Sequence, residues 1–264
     1  MKILVTGSEG YIGKHLVNFL KLKNEFDIYT LDIKDPKCSI DINKKININK
    51  KIDVVVHLAG LVSIPESVQN PIEYYKTNLF GTFNLINSLK FKNFIFASTS
   101  GAELQENPYA RSKRAAEDII QKYCKKYTIF RFYNVIGSAG FPPTNQDGLF
   151  FNLLKAEKTG IFKIFGNDYE TKDGTCVRDY IHVLEICESV YKAIKKPSNN
   201  IENLGHGRGW TVKEIAQAFK KANKSNFKIK ICGRRKGDTA ISMVKKTSRY
   251  MTNIFCLEGM VKKY

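Results

Sequence analysis

The N-terminal run Lys2-Ile3-Leu4-Val5-Thr6-Gly7-Ser8-Glu9-Gly10-Tyr11-Ile12-Gly13 constrains the fold more than any other segment. An apolar strand enters a turn with glycine at every third position, and an amphipathic stretch follows at Tyr11–Lys23. In that context the glycines serve a tight turn, a close backbone approach to a pyrophosphate, and close helix–strand packing. The free N–H groups of the following helix suit phosphate. The spacing is GxxGxxG rather than GxGxxG, so the flanking strand and helix carry the reading. Gly7, Gly10, Tyr11, Ile12 and Gly13 are therefore expected to hold a dinucleotide.

Further apolar runs bounded by glycine and polar turns predict strands at Lys2–Thr6, Asp27–Leu31, Asp53–Leu58, Asn93–Ala97 and Thr128–Phe132. Helices are predicted at Tyr11–Lys23, Pro71–Leu89 and Pro108–Lys126. This alternation predicts an α/β chain, a Rossmann-like doubly wound parallel sheet covered on both faces. Val54-Val55-Val56 lacks alternation, as a strand buried on both faces should. Beyond Phe132 the alternation weakens, and the rest reads as a smaller C-terminal substrate-binding domain. The expected division is 1–133 for the dinucleotide domain and 134–264 mainly for the substrate, with segments near 175–205 returning to the first. Asn203-Leu204-Gly205 is a candidate last strand of the first sheet, and Thr211-Val212-Lys213-Glu214 opens a helix with a capping-box pattern.

Asp32 ends the second strand, where a carboxylate accepts from both adenosine ribose hydroxyls and repels a 2′-phosphate, which favours NAD over NADP. Asp41 and Ile42 are candidates for contact with the adenine, a plain loop being the alternative. His57-Leu58-Ala59-Gly60 closes another strand; its small residues admit a cofactor, and His57 reads as a packed strand histidine. Tyr109 and Lys113 stand four apart, on one face of a helix started by Pro108. A lysine charge beside a phenol favours the phenolate, and such a tyrosine serves as a general base. Ala97-Ser98-Thr99-Ser100-Gly101, shortly before, supplies hydroxyls to orient a substrate alcohol.

The chain of 264 residues is 43% hydrophobic, enough for a sizeable core. No apolar run reaches the length of a membrane span, and no signal-peptide layout opens the chain, so the cytosol is expected. Six cysteines show no CxxC pair or metal-ligand spacing, so no metal is expected. The net charge is +18. Its lysines are spread along the chain, as in Lys44-Lys45, Lys50-Lys51, Lys125-Lys126 and Lys245-Lys246, without a clustered basic–aromatic face. No nucleic-acid or membrane partner is expected.

Taken together, Gly7-x-x-Gly10-x-x-Gly13, Asp32, His57-Leu58-Ala59-Gly60, Asn78-x-x-Gly81-Thr82, Thr99 and Tyr109-x-x-x-Lys113 resemble the extended short-chain dehydrogenase/reductase family. Ile164–Tyr169, Asp173–Val183 and Arg234-Arg235-Lys236-Gly237-Asp238 are similar to UDP-glucose 4-epimerases within it. The resemblance implies bound NAD, touched also by Leu58, Ala59, Gly60, Asn78, Tyr109 and Lys113. It implies Tyr109 as base at the sugar 4′-hydroxyl, Lys113 as the group lowering its pKa and holding the nicotinamide ribose, and Thr99 on the reacting oxygen. Ser100, Asn134, Asn152, Arg178, Arg235 and Asp238 are implied for the UDP-sugar, with a surface salt bridge to Asp179 as the alternative for Arg178. A homodimer through the helices at Pro71–Leu89 and Pro108–Lys126 is implied as well.

Departures from the family pattern are local. Only six residues, Ala102 to Asn107, separate Gly101 from Pro108, where epimerases carry a longer loop that helps form the sugar pocket. The segment after Asp32 and the tail after Asp238 are also short. Leu61–Ser67 resembles epimerases that take N-acetylated sugars, and Ser242 is small at a position tied to that choice. Ser100-Gly101 stands where dehydratases have Asp-Glu, which disfavours dehydration. A nucleotide-sugar reductase or dehydratase and a relative impaired in catalysis stay as the alternatives.

Overall fold

The computed structural model describes residues 1–36, 39–48, 50–235 and 237–263. Cys38 and Lys236, which belong to two of the segments above, lie outside the described residues. The chain divides into two units: Met1–Phe132 with Cys187–Glu202, and Tyr133–Ile186 with Asn203–Tyr264.

In the first unit β1 (Lys2–Thr6) leads through the glycine turn into α1 (Tyr11–Lys23), then β2 (Asp27–Leu31) and β3 (Val54–His57). Next come α2 (Ile64–Gln69), α3 (Pro71–Tyr74), a π-helical segment (Tyr75–Phe80) and α4 (Gly81–Ser88). β4 (Asn93–Thr99) ends in a 3₁₀ turn at Ser100–Ala102, followed by α5 (Pro108–Tyr123) and β5 (Tyr127–Phe132). The six-stranded sheet has the order β2-β1-β3-β4-β5-β9, where β9 is Ile201–Leu204. The pairs from β2 to β5 are parallel. Because the chain leaves β1 for β2 on one side and β3 lies on the other, a crevice opens at the carboxyl ends of β1 and β3, where ligands bind in such sheets. Val54, Val55 and Val56 are all buried, as their unbroken apolar run requires. One core of this unit gathers Leu4, Leu31, Val55, Leu85, Phe94, Phe96, Ala116 and Ile129.

The region predicted as one helix at Pro71–Leu89 is instead interrupted. The wider π turn carries Asn78, whose fully buried amide reaches the Leu61 backbone and Ser112. Such turns often mark functional positions. α5 stops at Tyr123 rather than Lys126, because the chain already turns into β5 at Tyr127.

In the second unit β6 (Asn134–Ile136) is followed by α6 (Leu149–Thr159), β7 (Ile161–Phe165) and β8 (Val177–His182). α7 (Val183–Lys195) begins in this unit and ends in the first. After β9 come β10 (Gly209–Thr211), α8 (Val212–Asn223), β11 (Lys228–Cys232), β12 (Ile241–Ser242) and α9 (Leu257–Val261). β8 pairs with β6, β10 and β12, and β7 pairs with β11. The expected capping box forms: Thr211 Oγ1 accepts from Glu214 N while Glu214 accepts from Thr211 N. A separate core contains Phe150, Leu153, Phe162, Tyr180, Ile215, Phe219 and Phe227.

Candidate active site

At the end of β1, Gly7 has φ +71°, and a Cβ there would lie 2.6 Å from the Ala59 nitrogen. A Cβ on Gly13 would lie 2.0 Å from the Gly7 oxygen. Both glycines are fixed by packing. A Cβ on Gly10 would meet only the Gly7 oxygen, at 3.2 Å. Gly10 caps α1 without any side-chain bond, so the helix start at Tyr11 and Ile12 presents backbone to an incoming phosphate. Asp32 is buried at the end of β2, and its two carboxylate oxygens accept from Glu9 N at 2.9 Å and Lys34 N at 2.8 Å. Those bonds aim it at the glycine turn. A dinucleotide fits this donor and acceptor set.

Asp41 accepts from Asn43 N, and the Ile42 side chain is buried against Gly81 while its carbonyl accepts from Asn84. Any contact of Ile42 with a cofactor therefore falls to its backbone N–H. Leu58, Ala59 and Gly60 form the loop after β3, and a Cβ on Gly60 would lie 2.7 Å from Asn78 Oδ1 and 3.1 Å from Lys113 Nζ.

His57 is the hub of a directed hydrogen-bond chain. Thr82 gives its proton to the Asn78 carbonyl at 2.6 Å, so it accepts from His57 Nε2–H at 2.9 Å. His57 Nδ1 then accepts from Thr6 Oγ1 at 2.7 Å, and Thr6 accepts from Ala59 N. Burial, and secondarily the Lys113 charge, lowers the His57 pKa well below the usual value. It stays neutral and structural, as read from sequence. Asn78 extends the chain to Ser112, which donates to the Tyr109 carbonyl at 2.8 Å.

α5 is started by Asn107, whose side chain accepts from Ala110 N at 2.9 Å, with Pro108 in the first turn. Thr99 stands beside the Tyr109 phenol, close enough to favour its ionised form, so the phenol and the Thr99 hydroxyl come together. Ser100 lies in the adjacent 3₁₀ turn. Lys113 is buried, donates to the Ala97 carbonyl at 2.9 Å and lies 4.6 Å over the Phe96 ring. Burial pushes the Tyr109 phenol up to about 12, and the Thr99 hydroxyl is the influence that opposes it. Burial also brings the Lys113 ammonium down to about 8, against the pull of Glu117.

In the second unit Arg178, Arg235 and Asp238 are brought together. Arg235 donates to Asp238 at 2.9 and 3.4 Å, and an Arg178 guanidinium nitrogen lies 3.9 Å from the same carboxylate. The alternative salt bridge of Arg178 with Asp179 is not what forms. Asp179 is fully buried and accepts from the backbone of His206, Gly207 and Val244, since consecutive strand residues face opposite ways. Asn134 donates to the Asp179 carbonyl. Asn152 lies in the first turns of α6, its amide donating to Gln146 and Gly148.

Sequence reasoning assigned no role to Ser112 and Glu117, on α5 itself, or to Arg131 on β5, and Ser98, expected among the hydroxyls that orient a substrate, donates to Glu117 instead. An acid on the apolar face of an amphipathic helix, eight residues after Tyr109, was the available signal for Glu117.

Fold and site together define a dinucleotide-binding Rossmann-type protein that carries a tyrosine–lysine pair on α5. The family described as "NAD dependent epimerase/dehydratase family" matches residues 3–205. UDP-glucose 4-epimerase of Haemophilus influenzae is 34% identical over 91% of this chain and 88% of its own length. The human UDP-glucose 4-epimerase is 31% identical over 90% and 87%. Among solved structures, the UDP-Glc/GlcNAc 4-epimerase from Campylobacter jejuni aligns with a TM-score of 0.81 at 28% identity, covering 99% of this chain and 97% of that one. The Bifidobacterium longum UDP-glucose 4-epimerase, in complex with NAD+ and UDP, gives 0.86 at 25% identity, with 99% and 96% covered. The chain belongs to the NAD-dependent epimerase/dehydratase family, within the extended short-chain dehydrogenases/reductases.

Proposed function

We propose that this protein is an NAD-dependent UDP-hexose 4-epimerase, acting on UDP-glucose and UDP-galactose or their N-acetyl forms. The observation that carries the reading is the placement of Thr99 beside Tyr109, one helical turn from the buried Lys113, in the unit that carries the glycine turn. Nothing in the packing of a helix requires those three together. In this reading the first unit holds the cofactor through Gly7, Gly10, Tyr11, Ile12, Gly13, Asp32, Asp41, Ile42, Leu58–Gly60 and Asn78. The second unit takes the UDP through Asn134, Asn152, Arg178, Arg235 and Asp238, with guanidinium forks suited to a diphosphate.

NAD, when bound, would supply a positive charge and a reversible two-electron acceptor for the C4′ hydride. Tyr109 takes the proton from the 4′-oxygen and returns it after the keto sugar has turned over. Thr99 orients that oxygen. Lys113, an ammonium at neutral pH, favours the phenolate against the cost of burial. No net oxidation results. Incubation with UDP-glucose, UDP-galactose and their N-acetyl counterparts should interconvert at least one pair without added NAD(P)H. A deoxy or 4-keto product, or no interconversion with NAD bound, would refute the assignment. The small Ser242 on β12 and the Leu61–Ser67 segment support including the N-acetyl pair.

The protein is read as a homodimer. Ile72, Phe80, Phe83 and Tyr123 are exposed on the helical face formed by α3, the π segment, α4 and α5, and the Phe83 and Tyr123 rings meet edge-on at 6.4 Å. Contiguous exposed apolar rings mark an association surface. Light scattering should give twice the 30.1 kDa chain mass, and Phe80→Glu/Phe83→Glu should halve it. A wild-type monomer would exclude the dimer. Among the described residues no helix is long and apolar enough to cross a membrane. The protein is read as having no nucleic-acid partner, because the paired lysines at 44–45, 50–51, 125–126 and 245–246 are all solvent-exposed and dispersed.

A further inference from the structure

Behind the Tyr109–Lys113 pair lies a third residue that the reaction scheme leaves unused. Glu117 follows Lys113 by four residues, as Lys113 follows Tyr109, so the three form one ladder along α5. Glu117 is fully buried. Arg131 of β5 grips its carboxylate with a fork, Nε at 3.0 Å and Nη2 at 2.7 Å. The Ser98 hydroxyl of β4 donates to it at 2.5 Å, and Arg114 lies 3.7 Å away. A buried ion pair adds little stability over an apolar group of the same shape, so its presence behind a catalytic helix calls for a reason beyond stability.

The groups around Lys113 supply one. On α5 the ionisable neighbours are Tyr109, Arg114 and Glu117, and on β5 Arg131. β3 contributes the neutral His57. β4 offers only the Ala97 carbonyl, the Phe96 face and the hydroxyls of Ser98 and Thr99. From the helices packed on α5 come Tyr74, Tyr75, Lys76, Glu66 and Glu73. Glu66 accepts from the Tyr74 hydroxyl at 3.2 Å, and Glu73 pairs with Lys76 at 3.6 Å. α4 carries no ionisable side chain. Glu117 is the carboxylate whose field favours the Lys113 ammonium, opposing the burial that lowers it to about 8.

We propose that Glu117 is a positioning residue for epimerisation: pinned by Arg131 and Ser98, it holds the Lys113 ammonium charged behind Tyr109 and so sets the alkaline limit of activity. The inference rests on Lys113 acting as a cation in the reaction. A Lys113→Met control tests that separately, because undiminished turnover in it would remove the scheme whatever Glu117 does.

The experiment is the pH dependence of kcat, measured from pH 6 to 10 on NAD-loaded wild type, Glu117→Gln and Glu117→Asp. In Glu117→Gln the alkaline limb should move acidward by about one pH unit, with activity near pH 6.5 much less affected. Glu117→Asp, which keeps the charge, should restore the limb most of the way. Glu117→Gln leaves Arg131 buried without its carboxylate, which endangers folding. The double variant Glu117→Met/Arg131→Met removes both charges, and in it the limb must move in the same direction. A pH-independent loss with the limb unmoved, in whichever of these variants folds, would reduce Glu117 to a packing role and overturn the proposal. So would a limb displaced equally by Glu117→Asp and Glu117→Gln.

Discussion

Tyr109→Phe loses about 10³-fold or more in kcat while NAD remains bound, because the variant keeps the ring and removes only the group that moves the proton. The surroundings leave no substitute. Thr99 stands beside Tyr109, but an aliphatic hydroxyl is far too weak an acid to take over as base near neutral pH. His57 is sealed between Thr6 and Thr82 and held neutral. The Tyr109 ring also packs edge-on at 6.3 Å against Tyr74, so phenylalanine keeps the helix start in place. Cofactor content by absorbance, alongside turnover, separates the two effects. Retained turnover would exclude Tyr109 as the base, and loss of NAD together with activity would make its role one of binding.

Lys113→Met should have opposite effects on activity and stability. Turnover falls about 10²-fold, because the phenol, already raised to about 12 by burial, loses the cation beside it. Stability nonetheless rises at neutral pH. The folded state holds Lys113 at about 8 against an ordinary 10.5, so between those values it binds fewer protons than the unfolded chain. Wild-type stability therefore climbs as pH rises through that window, and the burial penalty is present in full below it. Each pKa unit corresponds to about 1.4 kcal/mol, and the lost bond to the Ala97 carbonyl offsets part of the relief, leaving a gain of about 2 kcal/mol. Denaturant melts at pH 7 and pH 10.5 should show the gain at the first and little or none at the second. A variant destabilised at pH 7 would contradict the depressed lysine.

Much of this was legible in the chain because local rules and the fold agree. The strands at Lys2–Thr6 and Asp27–Leu31 and the helix at Tyr11–Lys23 have the bounds their apolar patterns predict. The glycine turn, Asp32, Thr99, Tyr109 and Lys113 all belong to the first unit, at the carboxyl ends of strands or on the helix beside them. The interruption at Tyr75–Phe80 was not legible. Its reason is tertiary: Asn78 bonds to partners 17 and 34 residues away. The same holds for Glu117, whose partners Ser98 and Arg131 lie on two different strands. The raised Tyr109 pKa was not legible for a third reason: it comes from burial in the folded interior, which helical spacing does not report.

The span between β4 and α5 closes on itself. Glu103 donates to Ser100, Leu104 and Gln105 donate to Gly101, and Asn107 independently caps α5. The start of α5 is therefore set by Asn107, and the span's own tie to the helix is a single exposed bond, from Arg111 Nε to the Gln105 carbonyl. Lengthening a flexible loop costs little, about 0.6 kcal/mol for each doubling. For a protein engineer this makes 103–106 a cassette: segments of other lengths and compositions can be spliced in to reshape what the site admits, while Tyr109 and Lys113 stay where they are.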